Sequence, residues 1–214
     1  IITSKAQTTR HRIMGIVNGE DFQIVYSDTP GILKPNYKLQ ESMMKFVQGA
    51  VSDADILVYV TDTIETSDPA SDEVVEKIGR SDVKTIVVIN KIDLTTPDAL
   101  EALVDKWKVR LPEAVIVPVS ALNNFNIGGL FDLILKYLPE GEPYYEKDAL
   151  TYKTMRLFDS EIIREKTLLN YGQEIPYCRE IGIDVFKVEV HIYRISATIY
   201  VARDSHKRII ICHQ

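Results

Sequence analysis

Thr85-Ile86-Val87-Val88-Ile89-Asn90-Lys91-Ile92-Asp93 decides how the rest of this chain is read. Its apolar, mostly β-branched run predicts a strand covered on both faces, the signature of a parallel sheet rather than a half-solvated one. In open α/β sheets ligands bind at the carboxyl ends of such strands. Asn90, Lys91 and Asp93 stand at that end, which makes them candidate binding residues.

On either side of it, residues 56–60 and 115–119 read as two more buried strands, the second ending at Ser120-Ala121-Leu122. Helices are predicted between and after them. One spans 68–79 with Ser67 or Asp68 as cap, and one spans 97–110 with proline in its first turn. A third spans 127–138, where Ile127, Leu130, Phe131, Ile134, Leu135 and Leu138 fall at helical spacing. In front, residues 12–17 and 22–27 flank Asn18-Gly19-Glu20-Asp21, an Asn-Gly hairpin signal. Asp28-Thr29-Pro30-Gly31 and an amphipathic helix at 40–51 follow. Strands alternating with helices imply an α/β, doubly wound, mostly parallel sheet.

Pro139-Glu140-Gly141-Glu142-Pro143 interrupts this pattern. Beyond it come a helix at 159–171 and strands at 180–190, 193–202 and 208–211, a second, α+β domain. The expected division is therefore 1–139, a linker at 140–150, and 151–214.

The 214 residues suffice for one large or two small cores. Two cysteines, Cys178 and Cys212, are too few for a disulfide framework or a four-ligand metal site, and they favour a reducing, cytoplasmic setting. His11, His191, His206 and His213 show no metal-ligand spacing. No run approaches the roughly 20 apolar residues of a membrane span. The net charge of −6 opposes bulk nucleic-acid binding, yet residues 178–214 carry six Lys/Arg against four Asp/Glu. That mildly basic tail permits RNA contact. The chain starts at Ile1 without an initiator methionine, and a longer parent is expected.

The polar residues after the opening strand have a specific chemistry toward guanine. A carboxylate at Asp93 can accept from N1–H and the 2-amino group together, whereas adenine would leave it unpaired. An unpaired buried acceptor costs roughly 1–3 kcal/mol, more when charged. The Asn90 amide can meet the base and tie neighbouring loops, and the Lys91 stem can lie over the ring. A strand ending in a solvated polar turn is the plain alternative.

Thr8-Thr9, Asp28-x-x-Gly31, Asn90-Lys91-x-Asp93 and Ser120-Ala121 follow one another along the chain, each in a loop or at a predicted strand end. This order resembles the translation-factor-like GTPases. Residues 5–12, 28–31, 160–166 and 174–177 further resemble the Era family of bacterial ribosome-assembly GTPases, over nearly the whole chain. The resemblance implies a P-loop GTPase G domain followed by a KH-like RNA-binding domain, with GTP or GDP and Mg²⁺ as ligands. It also implies 16S ribosomal RNA and the small ribosomal subunit as partners, a cytoplasmic location and possible peripheral membrane association. Residue by residue, Thr9, or less favourably Thr8, matches the Mg²⁺-holding threonine. Asp28 matches the carboxylate reaching Mg²⁺ through water, and the Gly31 N–H the γ-phosphate sensor. Asn90, Lys91 and Asp93 match the guanine site, with Ser120, Ala121 and Leu122 beside it and the Ala121 N–H as donor to guanine O6. Ile32 stands where many relatives place a water-orienting glutamine, which implies slow hydrolysis. Ser160 to Lys166 matches the first helix of the RNA-binding domain, with Ile162 and Ile163 expected to face inward. Arg194, Arg203, Lys207 and Arg208 are candidates for phosphate contact.

The chain also departs from that pattern. None of its ten glycines is followed by lysine, so Gly-x-x-x-x-Gly-Lys-Ser/Thr is absent from these residues. Losing three or four charge-assisted hydrogen bonds would weaken nucleotide binding by about 6 kcal/mol, or roughly four decades. Cys212 stands where the first glycine of a backbone-clamping Gly-x-x-Gly loop is expected. The chain is thus expected to lack the first strand and P-loop of its G domain and the end of its KH-like domain, and to be inactive alone. A non-catalytic pseudo-GTPase binding module and another GTPase of the superfamily remain as alternatives.

Overall fold

The structure, a computed structural model, describes residues 9, 11–36, 38–64, 69–147, 155–170, 179–190, 192–201 and 203–212. The chain divides into two compact units, one of residues 18–24 and 29–148, the other of 1–17, 25–28 and 149–214. The caps expected at Ser67 or Asp68, and residues 5–8 and 174–177, lie outside the described residues.

The first unit is built on three parallel strands in the order β3 (Ile56–Asp62), β4 (Lys84–Asn90), β5 (Val115–Pro118). Ile86, Val87 and Ile89 of β4 are fully buried. Alternate side chains of a strand point to opposite faces. Val87 and Ile89 pack with Val74, Val75 and Ile78 of α2 (Pro69–Gly79) and Trp107 of α3 (Pro97–Arg110). Ile86 and Val88 pack with Val117, Val119 and Ile134 of α4 (Ile127–Tyr137). Helices therefore cover both faces, the arrangement expected of a doubly wound sheet. Each fully buried aliphatic side chain contributes roughly 1.5–3 kcal/mol, so β4 is the most strongly anchored strand of the unit. The chain's tryptophan is anchored too: Tyr59 lies 5.2 Å from its ring, and the Arg110 guanidinium 4.8 Å from it. Arg110 also pairs with Asp72 at 2.5 Å, joining α3 to α2.

Helix boundaries follow their caps. The Thr96 hydroxyl accepts from Ala99 N–H at 3.4 Å, with Pro97 next, where its missing N–H leaves no intrahelical bond unmade. All six residues predicted for the inner face of α4 pack in the same cluster as β4.

Two strands, β1 (Ile13–Asn18) and β2 (Gln23–Asp28), form a sheet of their own. In the loop between them, Gly19 N–H donates to the Phe22 carbonyl at 2.9 Å. A Cβ at Gly19 would sit 2.2 Å from the Phe22 ring. Glycine is required here by that close approach, not by positive φ, which no described glycine adopts. Phe22 in turn meets Phe131 edge to face at 5.9 Å. The Gln23 amide bonds both ways to the Tyr145 backbone, at 2.9 and 3.0 Å, and Lys147 donates to the Glu20 carbonyl at 3.0 Å. Part of the stretch expected as a linker is thus tied to this loop. Helix α1 (Lys38–Asp53) buries Met43, Val47 and Ala50 along one face.

In the second unit, β6 (Arg179–Val188) and β7 (Tyr193–Val201) pair antiparallel, with an irregularity between Ile183 and Val185. In α5 (Met155–Asn170), Ser160 and Arg164 are buried while Ile162 is 54% exposed, which corrects the expectation that Ile162 faces inward. Residues 160 and 164 are one turn apart, and 162 falls on the opposite side. The Arg164 guanidinium pairs with the Glu161 carboxylate, its Nε donating to Oε1 at 3.0 Å. The strand expected at 208–211 is instead the end of a helix, α6 (Asp204–Cys212). Its first turn is set locally: His206 and Lys207 N–H both donate to the Arg203 carbonyl, with Asp204 at the positive end of the helix dipole. A three-isoleucine run is too short for periodicity to decide between strand and helix. Among the described residues, no helix is long and apolar enough to cross a membrane.

Candidate functional site

The carboxyl ends of β4 and β5 are laced together by backbone and side chain. Val119 N–H donates to the Ile89 carbonyl at 2.8 Å, and Ile92 N–H to the Val119 carbonyl at 3.3 Å. Asn90 then acts as a staple: its Oδ1 accepts from Lys91 N–H at 2.8 Å and from Ala121 N–H at 3.0 Å. Asp93, in the 3₁₀ turn Ile92–Leu94, takes a hydrogen bond from the Ser120 hydroxyl at 2.5 Å. Ser120 is 2% exposed, and its oxygen also accepts from Asn123 N–H at 3.2 Å. Asp93 itself is exposed, so its carboxylate is oriented by Ser120 yet open to a ligand. Leu122, at 86% exposure, projects from the same loop.

That loop is shaped by asparagines. Asn124 and Asn126 adopt positive φ, which asparagine tolerates better than most residues, and Asn126 Nδ2 closes the loop onto the Pro118 carbonyl at 3.0 Å. Phe125 and Ser120 exchange both backbone hydrogen bonds. Lys91 is the third positive-φ non-glycine residue among the described residues, at 61°. A lysine there costs about 1–2 kcal/mol. The Lys91 N–H donates to Asn90 Oδ1 and its ammonium pairs with Asp62 at 2.7 Å. The paired ammonium, followed by Ile64 N–H, holds the Asp62 carboxyl below its ordinary pKa, against a smaller opposing push from burial.

The local sequence pattern does not single out Asp62. The strand expected at 56–60 runs on to Asp62, and only that extension places Asp62 in register with Asn90. An acidic residue at the end of a strand flanking β4 is the signal that could have found it.

Thr9 and Asp28 form a separate pair, the Thr9 hydroxyl donating to Asp28 Oδ2 at 3.2 Å. Both are hard oxygen donors, the kind Mg²⁺ accepts alongside water and phosphate. Among the described residues no group of three or more His, Cys, Asp or Glu could hold a metal ion. Gly31 is exposed with open space where a Cβ would be. Ile32 packs against the cluster of Val87, Ile89 and Trp107. The Thr8 alternative lies outside the described residues.

Residues 1–140 match the family described as the Elongation factor Tu GTP binding domain. GTPase Era of Staphylococcus haemolyticus is 37% identical over 212 residues, 99% of this chain and 71% of that protein. The chain belongs to the Era family of GTPases. Two Era crystal structures superpose with a TM-score of 0.90 at 36% identity, each match covering 99% of this chain and 73% of the other. One Era is in complex with MgGDPNP and nucleotides 1506–1542 of 16S ribosomal RNA; the other, a variant from Aquifex aeolicus, is bound to GDP·AlF4⁻. Era proteins thus hold guanine nucleotides, one of them as the magnesium complex, and the fold is that of their G domain.

Proposed function

We propose that the end of β4 is the base-reading half of a guanine-nucleotide site. Asn90 braces the two loops, Lys91 covers the ring, Asp93 accepts from N1–H and the 2-amino group, and Ser120, Ala121 and Leu122 form the opposing loop. The observation that carries this reading is the Ser120–Asp93 hydrogen bond at 2.5 Å, which orients an exposed carboxylate toward a ligand edge. The Ala121 N–H intended for guanine O6 is held by Asn90 at 3.0 Å, so the base would share or displace that bond. Thr9 and Asp28 suit Mg²⁺, which when bound neutralises charge on the phosphates. Gly31 is exposed, and its N–H is the candidate contact to a γ-phosphate.

On this reading the protein is an Era-type enzyme hydrolysing GTP in the cytoplasm during ribosome assembly. Ile32 cannot orient water by hydrogen bonding, and its packing against the core supports a structural role, so intrinsic hydrolysis is slow. Residues 151–214 belong to a KH-like domain contacting 16S ribosomal RNA of the small subunit. Arg203, Lys207 and Arg208 are exposed and suit phosphate contact; Arg194 is paired with Glu189 at 2.9 Å.

The deciding experiment is Asp93→Asn in the full-length protein. It is expected to lose GTP by roughly 30- to 1000-fold and to gain XTP, because the amide donates to the xanthine 2-oxygen. Unchanged preference for GTP would overturn the base-site reading. Within these 214 residues no Gly-x-x-x-x-Gly-Lys-Ser/Thr occurs, and the polypeptide by itself is expected to bind GTP analogues weakly. Micromolar affinity in a titration of this polypeptide would contradict that.

A further inference from the structure

We propose that Asp62 is a positioning residue for guanine-nucleotide binding: anchored at the end of β3, it fixes the Lys91 side chain along the edge where the base lies. This rests on the base-site reading above and extends it to a residue on a neighbouring strand. Asp62 and Asn90 are partners in the parallel register, so Asp62 stands beside the turn that carries Lys91. Each carboxylate oxygen has its own partner. Oδ1 accepts from Ile64 N–H at 3.0 Å, an Asx-type turn that fixes the carboxylate's orientation, and Oδ2 accepts from Lys91 Nζ at 2.7 Å. At the other end of the lysine, the backbone is left-handed and its N–H donates to the Asn90 side chain at 2.8 Å. The flexible four-carbon stem is thereby pinned at both ends.

A fold-stabilising role explains this poorly. The two side chains are 53% and 31% exposed, and ion pairs so open to water add little to stability. What the pair can do is restrict a side chain with many rotamers before the ligand arrives, which lowers the entropy lost on binding. The arrangement also leaves the aliphatic part of Lys91, rather than its charge, as the surface facing a stacked base.

A double-mutant cycle in the full-length protein tests this, with GDP and GTP dissociation constants as the readout. Asp62→Asn keeps an acceptor for Ile64 N–H and removes the charge pair; it is expected to weaken both nucleotides by about 3- to 10-fold. Lys91→Met keeps a straight stem without the ammonium. In the Lys91→Met background, Asp62→Asn is expected to add less than about 2-fold, because there is no longer an ammonium to position. An equal factor in both backgrounds, or no effect of Asp62→Asn alone, overturns the proposal. If Asp62→Asn fails to fold, Asp62→Glu replaces it: the longer arm keeps the charge but not the Ile64 turn, and the same loss of effect on Lys91→Met is required. Asp93→Asn in parallel separates the two claims. A switch to XTP with no Asp62–Lys91 coupling removes Asp62 alone, whereas unchanged GTP preference removes the base site beneath it.

Discussion

Strands β4 and β7 are both rich in β-branched residues, yet they live in opposite environments. Ile86, Val87 and Ile89 of β4 are wholly shielded, while Tyr193, Ile195 and Tyr200 of β7 are roughly half exposed. The difference is neighbours: β4 has a parallel strand on each side and helices on both faces, whereas β7 is paired among the described residues with β6 alone. A binding site needs side chains placed by a rigid support, and only the first environment supplies one. Asn90, Lys91 and Asp93 inherit their positions from the burial of the five residues before them.

The comparison predicts a large asymmetry in stability. Ile89→Ala is expected to destabilise the first unit by roughly 2–5 kcal/mol, through lost burial and the cavity left between β4 and α3. Ile195→Ala, at a 44% exposed position, is expected to cost under about 1 kcal/mol. Urea unfolding followed by Trp107 fluorescence reads the first and far-UV circular dichroism the second; equal losses would mean that burial does not distinguish the two strands.

The next effect is smaller and local to the site. Ser120→Ala removes the donor that orients Asp93 and leaves Asn123 N–H without its acceptor. A lost hydrogen bond with a partly buried partner costs about 1–3 kcal/mol, so stability should fall by that order and GTP should bind the full-length protein roughly tenfold more weakly. Calorimetric titration beside a urea melt checks both. An unaltered affinity would show that Asp93 is oriented without Ser120.

Residues whose placement follows from local pattern could be read from the chain, and those placed by register or cap geometry could not. The β-branched run before Asn90 and the inner face of α4 carry strong periodicity, and both pack as that periodicity dictates. Ser120 stood beside the guanine residues by resemblance, but its bond to Asp93 depends on how two loops meet in space. The resemblance implies an inward Ile162 and the isoleucine-rich composition of 208–211 reads as a strand, and the chain packs in neither way. The buried Arg164–Glu161 pair and the first turn of α6 outweigh that composition. Asp62 is not legible because strand ends are the least defined part of a strand pattern, and two added residues change its neighbours.

The smallest predicted effect concerns the charge state of Asp62, at the end of a strand flanking β4. Its carboxyl is held below the ordinary 3.8, first by the Lys91 ammonium and then by Ile64 N–H. A carboxyl whose folded pKa is depressed contributes stability that is fully present above the unfolded pKa and is lost as pH falls through the folded value. The pair is therefore intact throughout the neutral range and yields only in acid below pH 3.8. Carbon-detected NMR titration of the Asp62 carboxyl should give a midpoint under 3.8, moving back toward it in Lys91→Met. A midpoint at or above the ordinary value in the unsubstituted protein would mean that the ammonium does not hold the carboxylate in solution. Because both side chains are substantially solvated, the shift should shrink further as salt is raised. Insensitivity to salt would place the pair in a drier environment than its exposure allows.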